Sequence, residues 1–326
     1  MNRRHLLPLL ALPLLAGATR RASAQEAFPA NRPVRLVVGF AAGGPADTLG
    51  RLLTNPLSAA LDVPVVVENR GGAGGTLAAA TVARAPADGH TLLFVSSGHA
   101  GTSALYNNLP YNPDADFAPV ASLAATPNVI LVRADSRYRT IADLVAESLT
   151  RRGGLNFGAG GSGATLTAMS AVLFQRATGI QAEAVNYPGS APSQTALLGG
   201  QLDFLVDTLS SATAQIEGGR MRALAVTSAR RSPRLPEVPT LAETVAPGFD
   251  VIGWFGVMAP AATPAPVIER LNREMNTALA NLTVEARVRD LGLERLGGSP
   301  AEFASLVRSE TARWGGLIRE LGLRPD

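Results

Sequence analysis

The segment Val34 to Asp47, VRLVVGFAAGGPAD, carries the residues whose types and spacing could do chemistry. A β-branched apolar run feeds a glycine-rich turn, and Pro45 then opens a helical pattern. Such a turn leaves the first backbone N–H groups of the helix unpaired and facing a crevice, where they can hold an anion. The expected anion is a carboxylate or a phosphate. Gly39 and Gly44 have P-loop spacing, but Pro45 and Ala46 stand where that motif needs Lys and Ser or Thr, and the 326-residue chain contains no lysine. The competing reading is a tight turn that uses glycine's tolerance of positive φ and binds nothing. Pro45 suits the first helical position, where its missing N–H would be unpaired anyway. Asp47 either stabilises the helix start, where a negative charge is favoured, or touches a ligand.

Gly158, Gly160 and Gly163 spell G-x-G-x-x-G after an expected strand, with Glu183 twenty residues further on. That is the dinucleotide fingerprint in outline. Glycine-rich loops abound in this chain, and an exported protein meets little NAD, so the stronger reading is a ligand loop offering backbone amides and the Ser162 and Thr165 hydroxyls. Tyr187-Pro188-Gly189-Ser190 is either a ligand contact or an ordinary Pro-Gly turn. Asp207 ends an apolar strand and needs partners. It anchors loop amides or receives a ligand ammonium or hydroxyl. Trp254 and Phe255 read as packing.

Beyond the leader only His90 and His99 remain, cysteine is absent, and no H-x-x-x-H or H-E-x-x-H spacing occurs. No zinc site or other metal site is expected. Gly160-Gly161-Ser162-Gly163-Ala164 misses G-x-S-x-G at its fifth position, and no catalytic residues or cofactors are assigned.

Stepping outward, Arg3 and Arg4, the apolar run Leu6 to Ala16 and Ala22-Ser23-Ala24 form an export signal with cleavage after Ala24. The paired arginines suit either the twin-arginine or the ordinary secretory route, and the expected location is the periplasm. Losing Arg3, Arg4, Arg20 and Arg21 takes the formal charge from +3 to −1, which argues against a nucleic-acid partner. No later segment is apolar over the length that spans a bilayer.

Alternation of strand, turn and helix predicts a mainly parallel sheet with helices on both faces. Expected strands are Val34 onward, Val63 to Glu68, Thr91 to Val95, Asn128 to Val132, Leu155 to Phe157, Ala182 to Val185, Leu202 to Val206, Ala223 to Thr227 and Val251 to Met258. The helix from Asp47 to Leu61 should kink or break at Asn55-Pro56. Further helices are expected near Thr76 to Arg84, Thr140 to Thr150, Thr165 to Ala177, Ala191 to Leu198, Ser210 to Glu217, Pro266 to Ala280, Val284 to Leu291 and Ser299 to Leu321. Two α/β sets joined by crossover strands suggest two lobes around a cleft.

Nine segments in order, among them PVRLVVGFAAGGPADTLGRLL, VPVVVENRGGAGG, NNLPYNPDADFAPV, NYPGSAP, LLGGQLDFLVDTL and MRALAVTSARRSPRLPEVPTLAE, resemble the tripartite tricarboxylate transporter substrate-binding proteins, the Bug family. The resemblance covers essentially the whole mature chain. It implies an α/β, two-lobed periplasmic binding protein of type II, with residues 1–24 cleaved, 25–130 plus 250–326 forming one lobe and 131–249 the other. It also implies a monomer that captures a small carboxylate in the cleft, without turnover, and delivers it to a membrane permease of the tripartite type. The alternative is an adaptor presenting the liganded shape to a signalling partner. The implied contacts are Phe40, Ala42, Gly43, Gly44, Asp47, Ser96, Ser97 and Thr102 from the first lobe, with Asn128 near the hinge. The second lobe would add Ala159, Gly161, Ser162, Thr165, Tyr187, Gly189, Ser190, Asp207 and Thr208. Ala41, Ala42, Pro45 and Ala46 stand around the first glycine pair where the family commonly has proline and serine or threonine, and Pro188 stands where lysine often follows the tyrosine, so ligand identity is not carried over.

Overall fold

The computed structural model describes residues 28–322 apart from 41, 107, 160–164 and 188. The export signal and the candidates Gly161 and Ser162 therefore lie outside the described residues.

The chain builds ten strands into one continuous sheet. The first stretch gives β1 (Val34–Val38), α1 (Pro45–Leu61), β2 (Val65–Asn69), α2 (Thr76–Ala83), β3 (Thr91–Ser96) and the four-residue α3 (Thr102–Leu105). Then β4 (Phe117–Arg133) runs without interruption, followed by α4 (Ile141–Thr150), β5 (Leu155–Ala159), α5 (Leu166–Thr178), β6 (Ala182–Val185), α6 (Ser190–Leu198), β7 (Phe204–Thr208), α7 (Leu209–Glu217) and β8 (Met221–Val226). The last stretch supplies α8 (Leu241–Thr244), β9 (Ile252–Pro260), α9 (Ala265–Leu279), α10 (Leu282–Asp290), β10 (Glu294–Arg295) and α11 (Pro300–Leu321). None of the described helices is long and apolar enough to cross a membrane.

Strand order is β2-β1-β3-β9-β4-β7-β5-β6, with β8 and β10 also pairing β4. The expected βαβ units are parallel: β1 with β2 and β3, and β5 with β6 and β7. The sheet as a whole is mixed, however, because β9 lies antiparallel to both β3 and β4, and β4 lies antiparallel to β7 and β8. Strand β4 is thus common to both α/β sets. Its N-terminal part pairs β9, and Asn128 to Leu131 pairs β7.

Helix α1 passes through Pro56 unbroken. The missing N–H removes one backbone bond, but Leu49, Leu53, Leu57 and Leu61 form a buried stripe at helical spacing that packs with Val34, Leu36 and Val38. Burying a leucine is worth ~1.5–3 kcal/mol, so the stripe outweighs the local cost of the proline.

Three chain segments meet where the two α/β sets join. The Asn128 N–H donates to Thr227 Oγ1 (2.9 Å), and the Thr227 N–H donates to the Asn128 carbonyl (2.9 Å). Thr227 Oγ1 donates to the Val251 carbonyl (2.6 Å), and the Val251 N–H returns a bond to the Thr227 carbonyl (2.9 Å). Both Asn128 and Thr227 are fully buried, so these bonds are shielded from competing water.

Candidate functional site

The turn after β1 ends at Gly44, which is the N-cap of α1, with Pro45 at the first helical position. Thr48 N–H is the first to find an intrahelical acceptor, the Gly44 carbonyl at 2.9 Å. The amides of Ala46 and Asp47 in the first turn therefore lack helical partners, as an anion-binding helix start requires. Gly43 adopts φ +84°, a backbone conformation that favours glycine.

Asp47 turns inward from the helix and is buried. Its carboxylate accepts from the Gly43 N–H (2.8 Å), Asn69 Nδ2 (2.9 Å) and Arg51 Nε (3.0 Å). Asn69 also donates to the Phe40 carbonyl at 3.1 Å. Asp47 therefore fastens both ends of the turn. Burial would raise its pKa, but the Arg51 guanidinium, the Gly43 amide and Asn69 together hold it below the usual carboxylate value.

Beside this turn lies a shallow recess that opens to solvent. Phe40, Ser96 and Thr102, all expected from the sequence, line it together with His99, which falls inside the expected Ser96 to Thr102 stretch; Gly74, Gly75, Thr76 and Tyr111, which were not expected, line it too. Gly39 explains how the walls meet: a methyl group placed on it would stand 2.8 Å from the Gly75 Cα, so the β1 turn rests directly on the glycine pair that precedes α2. Among the described residues, no lysine, arginine or carboxylate borders the recess. His99 Nε2 faces the Pro113 carbonyl at 3.2 Å, and burial lowers the ring's pKa, so the imidazole is neutral near pH 7. Burial pushes the Tyr111 phenol up to about 12, and it too stays uncharged. The recess can therefore bind an anion only through amides, hydroxyls and uncharged rings. Ser97 lines a separate small recess, with Gly98, Gly101, Leu166, Met169 and Trp314. Ala42 and Gly43 are exposed on the turn itself.

In the second α/β set, Ala159, Thr165, Tyr187, Gly189, Ser190, Asp207 and Thr208 gather at the C-terminal ends of the parallel strands β5, β6 and β7. Three helices begin there. Thr165 caps α5 by accepting from Ala168 N–H (3.3 Å), Gly189 precedes α6, and Thr208 caps α7 by accepting from Ser211 N–H (3.3 Å). Asp207, fully buried, ties two of these starts together: it accepts from Ser190 Oγ (2.6 Å), Gln194 Nε2 (2.8 Å) and Thr208 N–H (2.8 Å). Burial outweighs those donors and raises its pKa. Tyr187 packs its ring against the Leu197, Leu202 and Leu205 cluster.

Asn128 stands between the sets. Its Nδ2 donates to Ser170 Oγ at 2.7 Å and to the Leu166 carbonyl at 3.4 Å, while its Oδ1 is buried without a partner among the described residues. Among the described residues no group of three or more histidine or acidic side chains could hold a metal.

The tripartite tricarboxylate transporter family receptor profile matches residues 49–323. The chain belongs to that family. A Pseudomonas sp. (strain P51) protein encoded between tcbD and tcbE is 41% identical over 327 residues, covering 100% of this chain and 96% of the relative. Among solved structures, R. palustris Rpa4515 with adipate is 35% identical with a TM-score of 0.81, covering 91% of this chain and 99% of that one. MatC from Rhodopseudomonas palustris with bound malate is 36% identical with a TM-score of 0.77, covering 89% of this chain and 100% of that one. The family receptor thus has the α/β periplasmic-binding-protein fold that its sequence predicts.

Of the lining residues missed in the sequence, Gly74 and Gly75 carried a signal. They form a second glycine turn between strand and helix, the same pattern as Gly43-Gly44. Tyr111 gave none, because only the chain's return through Pro113 and Phe117 brings it to His99.

Proposed function

We propose that this family receptor captures a small organic carboxylate in the periplasm and delivers it to a membrane permease of the tripartite tricarboxylate type. The observation that carries the reading is the recess between the β1 turn at Gly39-Phe40 and the glycine turn at Gly74-Thr76, where backbone and the Thr76, Ser96 and Thr102 hydroxyls line the wall and, among the described residues, no charged side chain does. An anion held by oriented peptide dipoles needs no neutralising side chain. Adipate and malate in the two related structures are ligands of the same chemistry.

Residues 25–130 plus 250–326 form one lobe and 131–249 the other, with Asn128, Thr227 and Val251 at the hinge. The ligand docks on the first-lobe amides and gains contacts from Thr165, Ser190 and Thr208 as the second lobe swings over it. Asp47 and Asp207 serve this site by fixing the turns, since their oxygens are already engaged by internal donors. A ligand shifts closure only as far as it binds the closed form better than the open one. The first 24 residues direct export and are removed, and no turnover accompanies binding.

Isothermal titration against a panel including malate, adipate, citrate and benzoate, joined to small-angle scattering, tests the reading. Binding with a fall in radius of gyration is expected. Failure of every carboxylate to bind would overturn it.

A further inference from the structure

Helices α5 and α11 belong to opposite α/β sets. Helix α5 packs on β5 and β7, whereas α11 packs on β4, α3 and the turn at Ser97–Gly101. Between them Leu166 and Met169 share a small recess with Trp314. The two helices are nevertheless joined at their far ends. Arg176 Nη1 and Nη2 grip Glu320 Oε2 and Oε1 at 2.8 and 2.7 Å, a two-pronged pairing across 144 residues of sequence.

The lever geometry gives this contact its meaning. The Leu166 end of α5 is anchored to the strands that join the two sets, by Asn128 Nδ2 to Ser170 Oγ and to the Leu166 carbonyl. Leu166 also lies over Gly253 of β9 so closely that a methyl group on Gly253 would strike it at 2.5 Å. Arg176 is ten residues along the helix, about 15 Å from that anchor. A hinge rotation of about 20° would move it by about 5 Å, enough to part the ion pair, while the anchored end hardly moves. Such a rotation would therefore unmake the pair.

We propose that Arg176 and Glu320 are a positioning pair that sets ligand affinity from outside the ligand site, by clasping α5 to α11 in the arrangement of the two sets described here. The inference rests on the closing-cleft reading above. It adds a contact that touches no ligand and is open to salt, because both side chains are about half exposed.

The absence of cysteine makes a direct test clean. Spin labels at Ala177→Cys and Gly316→Cys report the distance between the helices in the unliganded protein. The expected distribution is narrow and short in low salt, and longer or broader in 0.5 M NaCl or with Glu320→Gln. Titration with malate and adipate forms the second arm. Arg176→Gln and Glu320→Gln should each shift affinity about two- to five-fold in the same direction, and the exchanged pair Arg176→Glu with Glu320→Arg should restore the parent value. Distances indifferent to salt and to Glu320→Gln would overturn the proposal, as would single variants that bind like the parent or an exchanged pair that rescues nothing. If neither acid binds the parent protein, the functional reading is at fault, and the distance arm still decides the clasp.

Discussion

Removing the Asp47 carboxylate is the most direct perturbation of the β1 turn. In Asp47→Ala the Gly43 N–H and Asn69 Nδ2 lose a charged acceptor at 2.8 and 2.9 Å, and Arg51 loses its partner. Each inner bond is worth ~1.5–3 kcal/mol, whereas the Arg51 pair, whose guanidinium side is half exposed, adds under ~1 kcal/mol. Gly43 is exposed, so water can replace part of its bond, and the expected net loss is ~2–4 kcal/mol. For a chain of this size that lowers Tm by about 3–6 °C. Asp47→Asn keeps one acceptor oxygen and should lose about half as much. The pH dependence has a definite sign. Because the folded pKa lies below the unfolded value of 3.8, the carboxylate stabilises the protein fully above that value, and the contribution disappears as pH falls through the lower folded pKa. Thermal melts of parent and Asp47→Asn followed by circular dichroism should therefore differ at pH 7 and converge toward pH 3. An Asp47→Ala protein melting within about 2 °C of the parent at pH 7, or a gap that widens in acid, would refute the argument.

Asp207 should behave in the opposite sense. Its folded pKa is raised above the ordinary 3.8 by burial, so the parent loses stability as pH rises from 3.8 through the folded value, and Asp207→Asn should flatten that part of a urea-denaturation profile. Gly39→Ala drives a methyl group against the Gly75 backbone, and titration calorimetry with the ligand identified from the panel should show affinity falling by about tenfold or more. Gly256→Ala forces the Phe303 ring out of contact with Trp254, which should cost ~1–3 kcal/mol in chemical denaturation without altering the ligand preferred.

Local pattern made much of this molecule legible. The Leu49-Leu53-Leu57-Leu61 stripe specified α1, and Ser299-Pro300 with Glu302 specified the start of α11, where Ser299 Oγ accepts from Glu302 N–H and Glu302 Oε2 accepts from Ser299 N–H. What stayed hidden depends on partners far away in sequence. The stretch Phe117 to Ala125 is rich in small residues, contains Pro119 and is followed closely by Pro127, so nothing in it declares a strand, yet it forms half of β4 because β9 runs alongside. The antiparallel placement of β9 likewise leaves no local mark. In the candidate site the glycine turns were readable because glycine at positive φ follows from backbone sterics alone. The engagement of Asp207 by Ser190 and Gln194 needed the fold, since it joins the end of one strand to the first turn of a helix reached by another route.

The pairing of β3 with β9 also governs how the protein is made. Leu93 meets Met258, a residue synthesised roughly 160 positions later, so the nascent chain carries a bare strand edge until its final quarter appears. The amino-terminal portion cannot lock prematurely, and contacts of such long separation fold slowly. A truncation ending before Ile252 would leave β3 and the first half of β4 without their shared neighbour, and such a fragment should self-associate instead of accumulating as a soluble piece.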